Sequence, residues 1–181
     1  MKIEPGLWSA WEHRLEESYP ESGHSDLMAV DDDSFWFRHR AVVLVDLFEK
    51  HAPLGTLFDI GGGNGYMVRH AREAGYEAVL VEPGEAGSRH ALNRGLAPVL
   101  WGTTPELGIA EDSLPSIGLF DVVEQVGDDA GFLNQMYDLM APSGRIYLMV
   151  PAFQWLWSAS DERAGHFRPT EPGGFAGWFP Q

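Results

Sequence analysis

Asp59, Gly61, Gly63, Gly65 and Glu82 are the residues whose types and spacing could do chemistry in this chain. The first four sit in the run from Thr56 to Gly65, where a short apolar stretch ending in an acid meets a string of glycines, with Gly62 and Asn64 between them. Glycine has no Cβ, so it permits positive φ and lets a ligand lie against bare backbone. Tyr66 to Ala74 then has helical spacing, with Met67, Ala71 and Ala74 on one face. Strand, glycine turn and helix open a nucleotide-binding βαβ unit, whose helix N-terminus aims free N–H groups at the ligand. Glu82 ends the next apolar run, Ala78 to Val81, about twenty residues past the turn. A carboxylate there can accept hydrogen bonds from both ribose hydroxyls of a nucleoside. The plainer reading is a surface acid at a strand end. A dinucleotide fingerprint wants glycines at its first, third and sixth positions. Counted from Gly61, the sixth is Tyr66, which disfavours an NAD-type oxidoreductase.

These residues need elements to hold them. Leu7, Trp8, Trp11 and Leu15 recur at amphipathic-helix spacing, and the acid run Asp31 to Asp33 reads as a solvated loop. Ser34 is a candidate N-cap for a helix over Phe35 to Lys50, which Pro53 and Gly55 close off. Further strands are expected at Pro98 to Trp101, at Ser116 to Phe120 and at Arg145 to Val150, the last stopped by Pro151. Helices are expected at Glu85 to Arg94 and Ala130 to Met140, a helix or loop over 104–114, and a turn at Ala141 to Gly144. Alternating strands and helices predict an α/β, doubly wound, Rossmann-like parallel sheet. Counted from the strand before the glycine turn, its order should be 3-2-1-4-5. Ligands bind where that order reverses, outside the carboxyl ends of the strands. Asp59 to Gly65, Glu82 and Pro83, Trp101 to Thr103, and Phe120 with Asp121 should therefore converge.

The G-x-G-x-G spacing behind Asp59 resembles the first motif of the class I S-adenosylmethionine-dependent methyltransferases. The second half is similar to the small-molecule, ubiquinone-biosynthesis-type branch. The matching residues there are Asp121, Val122, Glu124, Asp128, Asp129, Pro142, Gly144, Pro151, Leu156, Trp157, Ser158, Asp161, Gly165, His166 and Arg168. The resemblance runs from about residue 34 to about residue 168. It implies S-adenosylmethionine as cofactor and in-line SN2 transfer of its methyl group to a small-molecule acceptor. It places adenine beside Gly102 and Thr103. It has Asp59 hold the glycine turn or reach the cofactor's ammonium. Arg38 becomes either a partner for the cofactor's carboxylate or a surface charge. Asp161 and His166 become candidate bases, His166 with a rival role as a packing histidine beside Trp155 and Trp157. The tryptophans read as core or as a substrate cage.

Two departures from the family stand out. Its histidine after Glu124 is Gln125 here, an amide that cannot take a proton near neutral pH. The usual hairpin of strands 6 and 7 is replaced by a Pro- and Gly-rich stretch, which leaves a SAM-binding but inactive, regulatory or truncated relative as the alternative reading. The expected division is a helical or loop cap over 1–33, a SAM-binding domain over 34–168 and a tail over 169–181. Without the hairpin the fifth strand is a bare edge, expected to be covered by Phe175, Trp178 and Phe179 or by a second subunit in a homodimer.

Composition bounds the rest. With 181 residues, 44% of them apolar and 22% charged, the chain makes one globular domain. It has no cysteine, so a thiolate nucleophile or thiolate metal site is excluded. The formal charge is −15, from 27 acids against 12 lysines and arginines, which opposes a nucleic-acid partner. No apolar run approaches the ~20 residues of a membrane span, and the N-terminus has no signal-peptide core, so the expected location is the cytoplasm.

Overall fold

The computed structural model describes residues 2–9 and 34–150. Two short strands, β1 (Lys2–Glu4) and β2 (Leu7–Ser9), precede helix α1 (Phe35–Lys50). There follow β3 (Leu57–Ile60), α2 (Tyr66–Glu73), β4 (Ala78–Glu82), α3 (Glu85–Asn93), β5 (Val99–Trp101) and β6 (Leu114–Phe120). A 3₁₀ turn at Val123–Gln125, α4 (Asp129–Leu139) and β7 (Met140–Met149) complete the described chain. The strands form one seven-stranded sheet in the order β1-β2-β5-β4-β3-β6-β7. All neighbours are parallel except β1 and β2. The β5-β4-β3-β6-β7 part is the expected 3-2-1-4-5, with β3 at the point where the order reverses.

The strands read as they do because each face of the sheet is covered. Along β3, Leu57 joins one core cluster, with α1, α2 and α3, while Ile60 joins a second with α4, and Phe58 packs against it. On α1, Ala41, Leu44 and Phe48 make the buried stripe, at spacings that repeat over two turns. Phe48 is fully buried and meets Tyr76 and Tyr147 edge-on, with ring centres 5.1 and 4.9 Å away. The Tyr147 hydroxyl donates to the His51 carbonyl at 2.6 Å, tying the end of α1 to β7. Arg72 of α2 donates from Nε to the Ala78 carbonyl at 2.8 Å and from Nη1 to the Ala97 carbonyl at 3.1 Å, joining the entries to β4 and β5.

Two expectations are corrected. Leu7 and Trp8 lie in a strand, not a helix, with Leu7 and Ser9 buried and Trp8 exposed between them. That alternation has period two, and β5, with three residues, gains a parallel neighbour through it. Trp11 and Leu15 lie outside the described residues. Ala141 to Gly144 is not a turn between elements but a bulge within β7, standing opposite Pro115 alone between the pairs Leu114–Met140 and Ser116–Arg145. Ser143 takes φ +66° there, and Pro115 has no N–H to donate, so the regular ladder is interrupted at that point. The stretch expected as a helix or loop is a loop with turns at 104–108 and 111–112, and Leu114 already belongs to β6. Ser34 stands at the N-cap of α1 without a side-chain capping bond, whereas Asp128 caps α4 by accepting from the Gly131 N–H at 3.0 Å.

The docking of α1 has a stability test. Phe48→Ala should cost about 3–5 kcal/mol by chemical denaturation, because a fully buried ring leaves a cavity. Val43→Ala, on the exposed side of the same helix, should change stability by about 0.5 kcal/mol or less. Equal effects of the two would mean that α1 does not pack on the sheet as described.

Candidate functional site

The site is built from the carboxyl ends of β3, β4 and β6. Glu82, the last residue of β4, is 5% exposed. Its Oε2 accepts from the Gly63 N–H at 2.8 Å and its Oε1 from the Gly84 N–H at 2.7 Å. One carboxylate thus satisfies donors from the turn after β3 and from the turn after β4. Burial pushes its pKa up to about 7, against the pull of those two bonds. The turn itself is held at its far side by Asn64, whose Oδ1 accepts from the Tyr66 N–H at 3.1 Å at the start of α2. Gly63 has φ +58° and nothing within 4 Å of where a Cβ would stand, so bare main chain faces open space. Beneath it, Gly62 passes so close to Asp59 that a Cβ would sit 2.2 Å from a carboxyl oxygen. Gly87 lets α3 lie against the loop, since its Cβ would stand 2.8 Å from the Gly63 carbonyl oxygen.

Four acids converge here. Asp59 is fully buried, and neither of its oxygens has a hydrogen-bond partner among the described residues. Its pKa rises to about 8, first through burial, then through the charges of Glu82 and Asp121. Glu124 is 2% exposed, and burial followed by the Asp121 charge carries its pKa to about 8. Asp121 sits just past β6 with φ +59° and pairs with Arg40 of α1. The Arg40 side chain is 11% exposed, its Nε donates to the Met149 sulfur at 3.0 Å, and its guanidinium lies 5.8 Å from the centre of the Trp36 ring. The hollow therefore carries more carboxyl groups than neighbouring cations. A ligand bringing positive charge and N–H or O–H donors meets what the Asp59 and Asp121 oxygens lack among the described residues, and the open main chain at Gly63 suits a flat or extended ligand. S-adenosylmethionine, with its sulfonium, its ammonium and a ribose diol, fits that donor set.

Sequence reasoning placed most of these residues. Asp59, Gly61, Gly62, Gly63, Asn64, Gly65, Glu82, Pro83, Phe120 and Asp121 all lie at the ends of the three central strands. The Pro83 carbonyl accepts from the Trp101 indole N–H at 3.2 Å, and the Gly102 N–H donates to the Glu82 carbonyl at 3.0 Å, so β5 ends against β4. Thr103 is engaged with Glu106, which accepts from both its backbone N–H and its hydroxyl. Gln125 is exposed, and its side-chain amide donates to the Asp121 carbonyl at 2.8 Å. Arg38 is exposed; the arginine that reaches Asp121 is Arg40. Its signal was present in the sequence. Arg40 lies three residues from Phe37 and four from Leu44, on the buried face, where a cation requires an acid partner. Asp161 and His166 lie outside the described residues. A groove of about 300 Å³ lined by Leu47, His51, Arg145 and Tyr147, among others, includes none of the site residues, and its Arg145 and Tyr147 side chains donate to the Ala52 and His51 carbonyls.

Comparison with known proteins bears on the family and the fold. A methyltransferase-domain family profile matches residues 36–179. A protein of Mycolicibacterium smegmatis named a probable S-adenosylmethionine-dependent methyltransferase is 23% identical over 141 residues, 77% of this chain and 54% of that protein. A protein of the same name from Mycobacterium tuberculosis is 24% identical over 134 residues, 72% of this chain and 47% of that one. The chain spans about half the length of the curated relatives it matches. The crystal structure of a SAM-dependent methyltransferase from Archaeoglobus fulgidus superposes with a TM-score of 0.59 at 17% identity, covering 79% of this chain and 71% of that one. That likeness shows a shared fold. With the profile covering most of its length, the chain belongs to the methyltransferase-domain family.

Proposed function

We propose that this chain binds S-adenosylmethionine across Gly61–Gly65 and serves methyl transfer to a small-molecule acceptor. One observation carries the reading: a bare glycine turn and the buried oxygens of Asp59 and Asp121, which lack donors among the described residues, converge where the strand order reverses. When bound, the cofactor supplies an activated methyl on a sulfonium, which leaves in line to the acceptor's nucleophile as the sulfur becomes a thioether.

The chain's own contribution is binding and placement. Glu82 has one backbone donor on each oxygen, which leaves a lone pair on each for the ribose hydroxyls. Asp59 and Asp121, each with buried oxygen lacking a partner, accept from the cofactor's ammonium. Pro83, Gly102 and Thr103 flank the base, and Phe120 floors the space beyond β6. Gln125 positions Asp121 through its main chain and takes no proton. Asp161 and His166 are the proposed proton acceptors for the nucleophile. Holding two reactants in line supplies on the order of 7–11 kcal/mol in the best intramolecular cases, so placement does most of what the protein must do. The charge of −15 supports a small acceptor over a nucleic acid.

Two measurements test this. S-adenosylhomocysteine should bind the wild-type chain by calorimetry, and Glu82→Gln should weaken it roughly 10- to 100-fold, because a charged acceptor of two backbone bonds and a diol is lost. An unchanged affinity in a folded Glu82→Gln protein would remove Glu82 from the site, and no binding by wild type would defeat the cofactor reading.

The second concerns pH. Asp59, Glu82 and Glu124 have folded-state pKa values raised to about 8, about 7 and about 8. The unfolded chain releases these protons first, so their stability contribution is full near pH 4 and is lost as pH climbs towards 8. The melting temperature should fall from pH 5 to pH 8, and Asp59→Asn should flatten that slope. A flat wild-type profile would mean these carboxyls ionise as if exposed.

A further inference from the structure

We infer that Arg40 sets how strongly the site prefers a positively charged ligand to a neutral one, and so the balance between S-adenosylmethionine and its demethylated product. This rests on the proposed cofactor. The two molecules share adenine, ribose, ammonium and carboxylate, and differ in one methyl and one positive charge. Groups that read the shared parts cancel in the ratio of the two affinities. The charge surrounding the hollow does not.

Arg40 is placed to control that charge. It pairs with Asp121 at the end of β6, while its Nε bonds Met149 at the end of β7. Its side chain is 11% exposed, so little water screens it. The Trp36 ring lies 5.8 Å from its guanidinium and limits where the head can go. Asp121 also acts on the Glu124 and Asp59 carboxyls, so the Arg40 charge is felt by a connected set of acids. Arg40 thus offsets part of the negative charge that attracts a sulfonium. The site holds the cofactor by charge, yet with less preference over its uncharged product than its acids alone would give, so the product competes more strongly for the site.

The test is the ratio of affinities for S-adenosylmethionine and S-adenosylhomocysteine, by calorimetry on the full chain. Arg40→Gln should raise the preference for the sulfonium form on the order of tenfold, the usual size of coupling between two such groups. Arg40→Lys, which keeps the charge, should return the ratio to the wild-type value. Asp121→Asn should lower it and serves as the deciding variant if Arg40→Gln does not fold. If Arg40→Gln weakens both ligands equally, Arg40 is a structural brace and the inference falls. An Asp121→Asn ratio equal to wild type would overturn it as well. Wild-type protein that binds neither ligand would instead bring down the cofactor reading on which it stands.

Discussion

Glu82 accepts one backbone N–H from the turn after β3 and one from the turn after β4, and that pair of bonds decides where the glycine loop lies. Two parallel strands leave the sheet side by side, and each hands its chain to a helix on the same face. The N–H groups of Gly63 and Gly84, in the turns that join strand to helix, then face the space between the strand ends, and a donor left unpaired there is costly. A carboxylate accepts from both. Burial raises the pKa of this acid to about 7, while the two main-chain donors pull towards its charged form. The cramped backbone follows from the same stitch. Gly62 and Gly87 are drawn in until a Cβ at either would stand under 3 Å from its neighbours.

The concentration of acid is a product of topology. β3, β4 and β6 end at one edge of the sheet, and each end carries or adjoins a carboxyl group. The N-termini of α2 and α3 lie beside Asp59 and Glu82, and their partial positive charge favours negative groups there. Burial is the first cause that raises the pKa values of Asp59, Glu82 and Glu124, and neighbouring acid adds to it at Asp59 and Glu124. Arg40, brought from the preceding helix, supplies one charge. The remaining demand makes this hollow suited to a cationic ligand and gives family membership a physical basis in this chain.

Much of the fold could be read in advance. β3, β4, α2 and α3 begin and end within a residue or two of their expected bounds, because each is a compact apolar run closed by glycine, proline or an acid. The N-terminal strands could not. Leu7 and Trp8 satisfy helical spacing and strand alternation equally well over so few residues, and the choice fell to a neighbour, β5, distant in sequence. The bulge at Ala141 to Gly144 carries the residues of a turn, and the strand takes up on both sides of it because β6 pairs there too. On the site, the glycines and Glu82 were legible from spacing. Arg40 was passed over for Arg38, two positions away, because one helix turn holds both and only the packed face separates them.

The amino-acid sequence by itself determined the strand, glycine turn and helix, the acid at the end of the second strand and the parallel order of the five central strands. Those depend on neighbours within a few residues and on the handedness of short crossovers. The tertiary structure alone decided that Glu82 spans two turns, that Asp59 is buried without a donor among the described residues and that Arg40 answers Asp121. Each of these joins groups far apart along the chain. Their partners are chosen by which strand ends meet and how little water remains between them, and no local pattern records that.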